Sequence, residues 1–488
     1  MQKRRIVVKA FVILFSLMIL IGAVSCQKQS PAPPREVESQ GETDIVYSDD
    51  LPSDLNFAGQ EVDILWWRQE EFSNEYSANI VDGALYERDR QVESRLNILI
   101  NNTYMAYTWD TRENYVTNVT TPLLAGSKDY DIITGHYPIM PRLMNEGILY
   151  DLNQVKYLDI EKPYWSQDLA DMVEIKDKMF FATGDITKTY TVYAYSYFMN
   201  KTLLNRYEGK NADQVVQDVL DGKWTHEYLL TMLEDTYVDD GNDVRDEGDT
   251  FGLIINASPE YIPHFFGFDT LFSEKNGDEI KLTCYGEHFL NVYNTIDALV
   301  NSNRNVIQWQ DNYQVTLYEV EAKEMFFSGQ SVFFCNEMVR AEYFKDMTDS
   351  WTCLPMPKYN EEQANYHTRV GEAATVVSIA YNVDNIDLMG ATLEAMASTS
   401  YDVVTPALYE ITYKIRYGED QITGKLFDLV RNGVKWDFSV MYTSHLPIQN
   451  EIRFCMYRQG SWATKWGELE TSMNNELESL IYQFETMG

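Results

Sequence analysis

Apolar and polar positions alternate through Gln60-Glu61-Val62-Asp63-Ile64-Leu65-Trp66-Trp67, which predicts a strand that becomes fully apolar at its carboxyl end. Residues 84–96 (ALYERDRQVESRL) then switch to helical spacing, with Leu85, Val92 and Leu96 on one face. A second strand is expected over 97–104. A helix over 114–125 is closed by Gly126, and a buried third strand over 130–134 ends at Gly135. Repeated strand–helix–strand units of this kind imply a parallel sheet flanked by helices. In open α/β sheets ligands sit beyond the carboxyl ends of the strands. Trp66, Trp67 and Arg68 occupy such an end, as do His136 and Tyr137.

A second region begins after Ala182-Thr183-Gly184-Asp185. Residues 190–200 (YTVYAYSYFMN) form a β-rich aromatic run, followed by a short helix over 203–207 and another over 223–235, for which Thr225 is the N-cap candidate. Residues 251–256, 331–335 and 376–380 are further strands, and helices are expected over 287–302, 387–400, 406–415 and 469–485. The folded part is long for a single core, so two lobes are expected.

The first 25 residues have a different character. Lys3, Arg4, Arg5 and Lys9 precede an apolar run over 10–24 that is short for a membrane span, the pattern of a secretory signal peptide. Ala23-Val24-Ser25-Cys26 resembles a bacterial lipobox, which implies cleavage before Cys26 and its lipidation, with an uncleaved signal anchor as the plainer alternative. Residues 27–50 are rich in Pro, Ser, Gln and acids, the composition of a disordered tether.

Charge removes one class of function. The chain has 75 acidic and 39 basic residues, a formal charge of −36. Cleavage before Cys26 removes four basic residues and no acid, giving −40. Such a body repels nucleic acid, so no nucleic-acid partner is expected. Cys284, Cys335, Cys353 and Cys455 are widely spaced with no CxxC pair; disulfides and buried thiols both remain open. Six scattered histidines offer no metal triad, and GxSxG, HExxH, P-loop and GxGxxG motifs are absent. No cofactor or metal is assigned, and the chain is not expected to be an enzyme. With so many carboxylates, a pair suited to glycoside hydrolysis decides nothing by its presence.

In order along the chain, several segments resemble the extracellular solute-binding proteins of bacterial ABC transporters, in the large family that captures sugars. Gly184-Asp185 followed by Tyr195-Ser196-Tyr197-Phe198-Met199-Asn200-Lys201-Thr202-Leu203-Leu204 is similar to that family's first interlobe crossing, Lys223-Trp224-Thr225 to a helix start, and residues 239–253 (DDGNDVRDEGDTFGL) to the acidic loop before its "YG/FG" strand. Residues 369–381 and 405–417 resemble its returning strand and a later helix. The acidic loop departs from the calcium-binding pattern of some members, because Asp239-Asp240-Gly241-Asn242-Asp243-Val244 lacks both a glycine after the third ligand and a closing glutamate.

The resemblance implies an α/β, two-lobed fold of the Venus flytrap type, each lobe a mainly parallel sheet flanked by helices. Residues 51–190 with about 366–430 would form one lobe, and 191–365 with about 431–488 the other. It implies a monomer, lipid-anchored at the outer face of the cytoplasmic membrane, that closes on a sugar or oligosaccharide and delivers it to ABC permease subunits. A carbohydrate-active surface lipoprotein and a sensing module are the alternatives. Aromatic faces and Asp, Glu, Asn and Arg side chains are the groups that hold sugars. Besides Trp66, Trp67, Arg68, His136 and Tyr137, the candidates are Asp185 before the first crossing, Asn336, Glu337 and Arg340 after the strand over 331–335, then Tyr409 and Trp436.

Overall fold

The computed structural model describes residues 48–309, 319–409 and 421–486. Its first sheet contains β1 (Gln60–Trp66), β2 (Ile98–Tyr104), β3 (Ile132–His136) and β11 (Thr375–Ile379), in the order β11-β3-β1-β2. β2, β1 and β3 are parallel, while β11 returns antiparallel along β3, pairing Thr375 with His136 and Ile379 with Ile132. The crossover from β1 to β2 is the helix Ile80–Leu96. Asn79 caps it by accepting from the Val81 and Asp82 amides, and Asn97 ends it in the left-handed region at φ 50°. The expected face of Leu85, Val92 and Leu96 is buried against the sheet.

The second sheet runs β10-β4-β9-β5-β8, from Trp351–Leu354 (β10), Tyr195–Asn200 (β4), Ser331–Glu337 (β9), Phe251–Asn256 (β5) and Val306–Trp309 (β8). β9, β5 and β8 are parallel, and β4 pairs antiparallel with both β9 and β10. A small hairpin, β6 (Ser273–Asn276) with β7 (Glu279–Leu282), stands apart. Thr225 caps its helix as expected, accepting from the Tyr228 amide at 3.2 Å. The aromatic run begins differently. Lys188–Val192 is a helical turn, not strand, because the buried Glu71 carboxylate accepts from the Lys188 amide and the Thr189 hydroxyl at the start of that turn.

Three chain segments cross between the sheets side by side. The Tyr195 amide donates to Arg369 O and the Gly371 amide to Tyr193 O. The Thr368 amide donates to Gly433 O and the Lys435 amide to Thr368 O. The result is a mixed α/β architecture of two lobes joined by a three-stranded waist. The helix Gln421–Asn432 packs against β10, and the helix Ile448–Tyr457 against the second-lobe helix Tyr261–Gly267 and the long helix Trp462–Thr486. Cys284, Cys335 and Cys353 are buried free thiols, and Cys455 is a partly buried one. Among the described residues no helix is long and apolar enough to cross a membrane. The leader, Cys26 and the segment to residue 47 lie outside the described residues.

Candidate functional site

The carboxyl ends of β1 and β3 place Trp67, Arg68 and His136 beside the waist. Neighbouring residues on a strand point to opposite faces. Trp66 is held in the core, its Nε1 donating to Asn102 Oδ1 at 2.7 Å and its ring near the buried Arg88. Trp67 faces the other way. Its Nε1 donates to Thr375 Oγ1 at 2.7 Å, and that hydroxyl donates onward to Glu71 Oε1 at 2.6 Å. The Trp67 ring packs on Tyr107 and His136, and the Arg68 guanidinium lies 4.7 Å above it and 5.0 Å from the Tyr193 ring in the waist. Arg68 also donates to Glu70 at 2.8 Å and to the Tyr193 hydroxyl. His136 shares a 2.5 Å hydrogen bond with the Tyr107 hydroxyl. Burial and the nearby Arg112 and Arg68 push its pKa down to about 3, so it is a neutral ring.

Across the waist, β9 ends in Asn336 and Glu337. Asn336 Oδ1 accepts from the Glu337 amide at 2.8 Å and from Arg340 Nε at 3.2 Å, and Arg340 pairs with Glu319 at 2.8 Å. The partly buried Glu337 carboxylate has no hydrogen-bond donor or ion-pair partner among the described residues. Burial raises its pKa to about 7 against the pull of Arg340, Arg68 and Arg369. Its Oε1 fills the position that a Cβ on Gly371 would need, 1.9 Å away.

The remaining candidates serve the frame. The buried Tyr137 hydroxyl accepts from Arg369, whose Nη1 donates to Gln449 Oε1 at 2.8 Å, and Tyr137 meets Trp436 edge-on at 5.3 Å. Trp436 is buried, its amide donating to Asp168 and its Nε1 to Ser166. Both Asp185 carboxylate oxygens accept from Arg431 at 2.7 Å, and Oδ1 also accepts from Thr405. Tyr409 ends the helix Thr405–Tyr409, and its side chain lies outside the described residues.

Other residues join the site without any motif to announce them. A cavity of about 460 Å³ lies between the start of the Met140–Asn145 helix and the 443–450 segment, lined among others by Trp109, Arg112, His136, Arg142, His445 and Asn450. Trp109 is half exposed, with Arg112 4.1 Å over its ring, and Asn145 Nδ2 meets His445 Nε2 at 2.8 Å. From the cavity, the helix Ile448–Tyr457 carries Asn450 and, one turn on, Arg453, which pairs with Glu372 at 3.4 Å in the returning waist segment. Asn450 Oδ1, Arg453 Nε, Asn256 Oδ1 at the end of β5 and Trp309 Nε1 at the end of β8 are buried with no partner among the described residues. Unpaired buried polar atoms cost free energy unless water or a guest satisfies them, and Asn450 Oδ1 is one that belongs to a residue lining the cavity.

Asp239, Asp240 and Asp249 bring carboxylate oxygens within 4.8 Å of one another, at the opposite end of β5 from Asn256. Asp249 is engaged internally, accepting from the Tyr237 hydroxyl and the Asp240 and Asp246 amides.

Comparison with solved structures fixes the architecture. The sugar-binding protein MalE from Xanthomonas citri superposes with a TM-score of 0.60 at 12% identity, covering 88% of this chain and 100% of that one. The GacH receptor of Streptomyces glaucescens, solved unliganded and with acarbose, gives 0.54 at 14% identity, covering 87% and 99%. An ABC substrate-binding protein of Listeria monocytogenes in complex with cycloalternan gives 0.52 at 14% identity, covering 86% and 99%. This chain has the two-lobed binding-protein fold. No family model and no curated protein matches the sequence. In this fold the cavity lined by Trp109, His136 and Asn450 lies at the carboxyl end of β3, beside the start of the Ile448–Tyr457 helix.

Proposed function

We propose that the chain is an extracellular solute-binding lipoprotein that captures a sugar or oligosaccharide by interlobe closure and hands it to an ABC importer. One observation carries the reading: a polar cavity of about 460 Å³ at the carboxyl end of β3 is lined by Trp109, charged Arg112 and Arg142, and Asn450, whose buried Oδ1 has no partner among the described residues. Sugars present both the hydroxyls such atoms need and the C–H faces that Trp109 and neighbouring rings can cover. The structural neighbours, whose own ligands include acarbose and cycloalternan, support the same class. In this proposal Trp67, Arg68, His136, Asn336, Glu337 and Arg340 line the guest's site, with Asn450 and Arg453 from the C-terminal helices. Tyr137, Asp185 and Trp436 hold the waist and its surroundings. The receptor is a monomer, tethered through lipidated Cys26 to the outer face of the membrane, where it meets the permease subunits.

Thermal melts of the mature chain against a panel of neutral oligosaccharides, with chromatography of the mixtures, test the proposal. A raised melting temperature with unchanged sugar is expected. Product formation would point to a carbohydrate-active enzyme, and no shift with any sugar would remove the sugar assignment.

A further inference from the structure

The cavity beside β3 differs in charge from the body that holds it. The chain has 75 acidic residues against 39 basic ones, yet two arginines and a single carboxylate, Glu146, line the cavity. Glu146 is exposed, and water screens it. Arg112 opens the helix Arg112–Leu124, and Arg142 lies in the helix Met140–Asn145. Glu113 holds the two side by side: its Oε1 accepts from Arg142 Nη1 and lies 3.6 Å from Arg112 Nε. One carboxylate shared by two guanidiniums leaves a surplus of one positive charge. Arg112 is also fixed 4.1 Å over the Trp109 ring, with one N–H on the Trp109 carbonyl. These contacts do not use up the N–H fork of either guanidinium. With side chains 30% and 37% exposed, Arg112 and Arg142 keep N–H groups open to a guest.

Asn450 adds the opposite requirement. Its Oδ1 is buried and accepts from nothing among the described residues, so it needs a donor. An ionised carboxylate cannot supply one, whereas a hydroxyl can. A guest that carries both hydroxyls and a negative charge answers both walls at once. We infer that the cavity takes a saccharide bearing a carboxylate, a uronic acid residue, with its carboxylate on Arg112 and Arg142 and a hydroxyl donating to Asn450 Oδ1. The inference deepens the sugar-receptor reading and rests on it: a neutral sugar supplies the hydroxyl and leaves the guanidiniums to water. The single surplus charge matches a carboxylate, whereas a phosphate monoester carries about two charges and would exceed it. A body as acidic as this one repels anions in general, so preference for an anionic sugar needs a local cationic site of this kind. The cavity volume of about 460 Å³ is that of a small-ligand site.

The test is calorimetric titration of the mature chain with short oligomers of galacturonate, glucuronate and mannuronate. Each is paired with its carboxyl-reduced neutral counterpart, which keeps linkage and ring shape. For the oligomer that binds, the acidic member should bind about tenfold more tightly than its reduced partner, from charge-assisted hydrogen bonds to partly exposed arginines. That ratio should shrink in about 500 mM NaCl and fall to about twofold in Arg142→Gln. Lys128→Gln makes the same change of net charge beyond the other end of β3, where Lys128 pairs with Asp384, and should leave the ratio as it was. Equal affinity within every pair, a ratio that survives Arg142→Gln, or a neutral sugar that binds while no uronate does would overturn the inference and leave the sugar-receptor reading in place. Failure of every sugar, acidic and neutral, would remove that reading and this inference with it.

Discussion

Replacing Gly371 by alanine would put a Cβ 1.9 Å from Glu337 Oε1 and 2.9 Å from its Cδ, while the Tyr193 carbonyl stays at an ordinary 3.4 Å. Gly371 does not have the positive φ that strains an alanine, so the clash with one side chain is the whole perturbation. Glu337 can relieve the clash by turning its carboxylate away from Gly371. Overpacking of this kind costs about 1–3 kcal/mol, and a flexible side-chain tip puts it at the low end, near 1 kcal/mol. In a Glu337→Ala background the same Cβ loses both clashes and keeps the Tyr193 carbonyl at an ordinary contact distance. Gly→Ala there should be neutral or stabilising by about 0.4–1 kcal/mol through the unfolded chain. The cycle of four proteins, measured by urea unfolding, should give a coupling of about 1–2 kcal/mol. Equal effects of Gly371→Ala in both backgrounds would refute the placement of Glu337 against the waist.

Three further outcomes follow from the same geometry. Trp66→Ala should destabilise by about 3–5 kcal/mol in denaturant titration, since the ring is core, while Trp67→Phe, which loses one hydrogen bond to Thr375, should cost about 1 kcal/mol. Arg431→Ala leaves the buried Asp185 without its cation and should cost about 3 kcal/mol at pH 7, with a smaller loss at pH 5, where Asp185 can take up a proton. The folded chain holds a proton on Glu337 between its ordinary range near 4.5 and about 7, whereas the unfolded chain has released it. This group's contribution to stability therefore falls as pH rises from about 4.5 and levels above 7. Glu337→Gln should remove that slope and melt higher than the parent at pH 8.

Much of the fold was legible in the sequence because strands and helices that meet a buried face keep its period. β1, β2 and the helix Ile80–Leu96 follow their patterns within a few residues, and Thr225 caps where its position suggested. The helical turn Lys188–Val192 was hidden, because the carboxylate that organises it comes from Glu71, more than a hundred residues earlier. β8 and β10, four residues each, are too short for a period to show. Strand-end reasoning named Trp67, Arg68, His136, Asn336, Glu337 and Arg340, which the structure places at or just past the ends of β1, β3 and β9. It could not separate Trp66 from Trp67, because which neighbour faces inward depends on Asn102 and Arg88 waiting in the core. Asn450, Arg453 and the wall formed by His445 carry no motif. Asn450 and His445 reach the cavity only because the C-terminal segment folds back beside β3, a contact between segments 300 residues apart.

Hydrogen–deuterium exchange of the mature chain, with and without the sugar that most raises its melting temperature, tests the enclosing groove most directly. Protection should appear together in residues 67–71, 193–195, 337–340 and 450–453, which belong to both lobes and the waist. Protection confined to one sheet, or lying away from all four segments, would contradict the account.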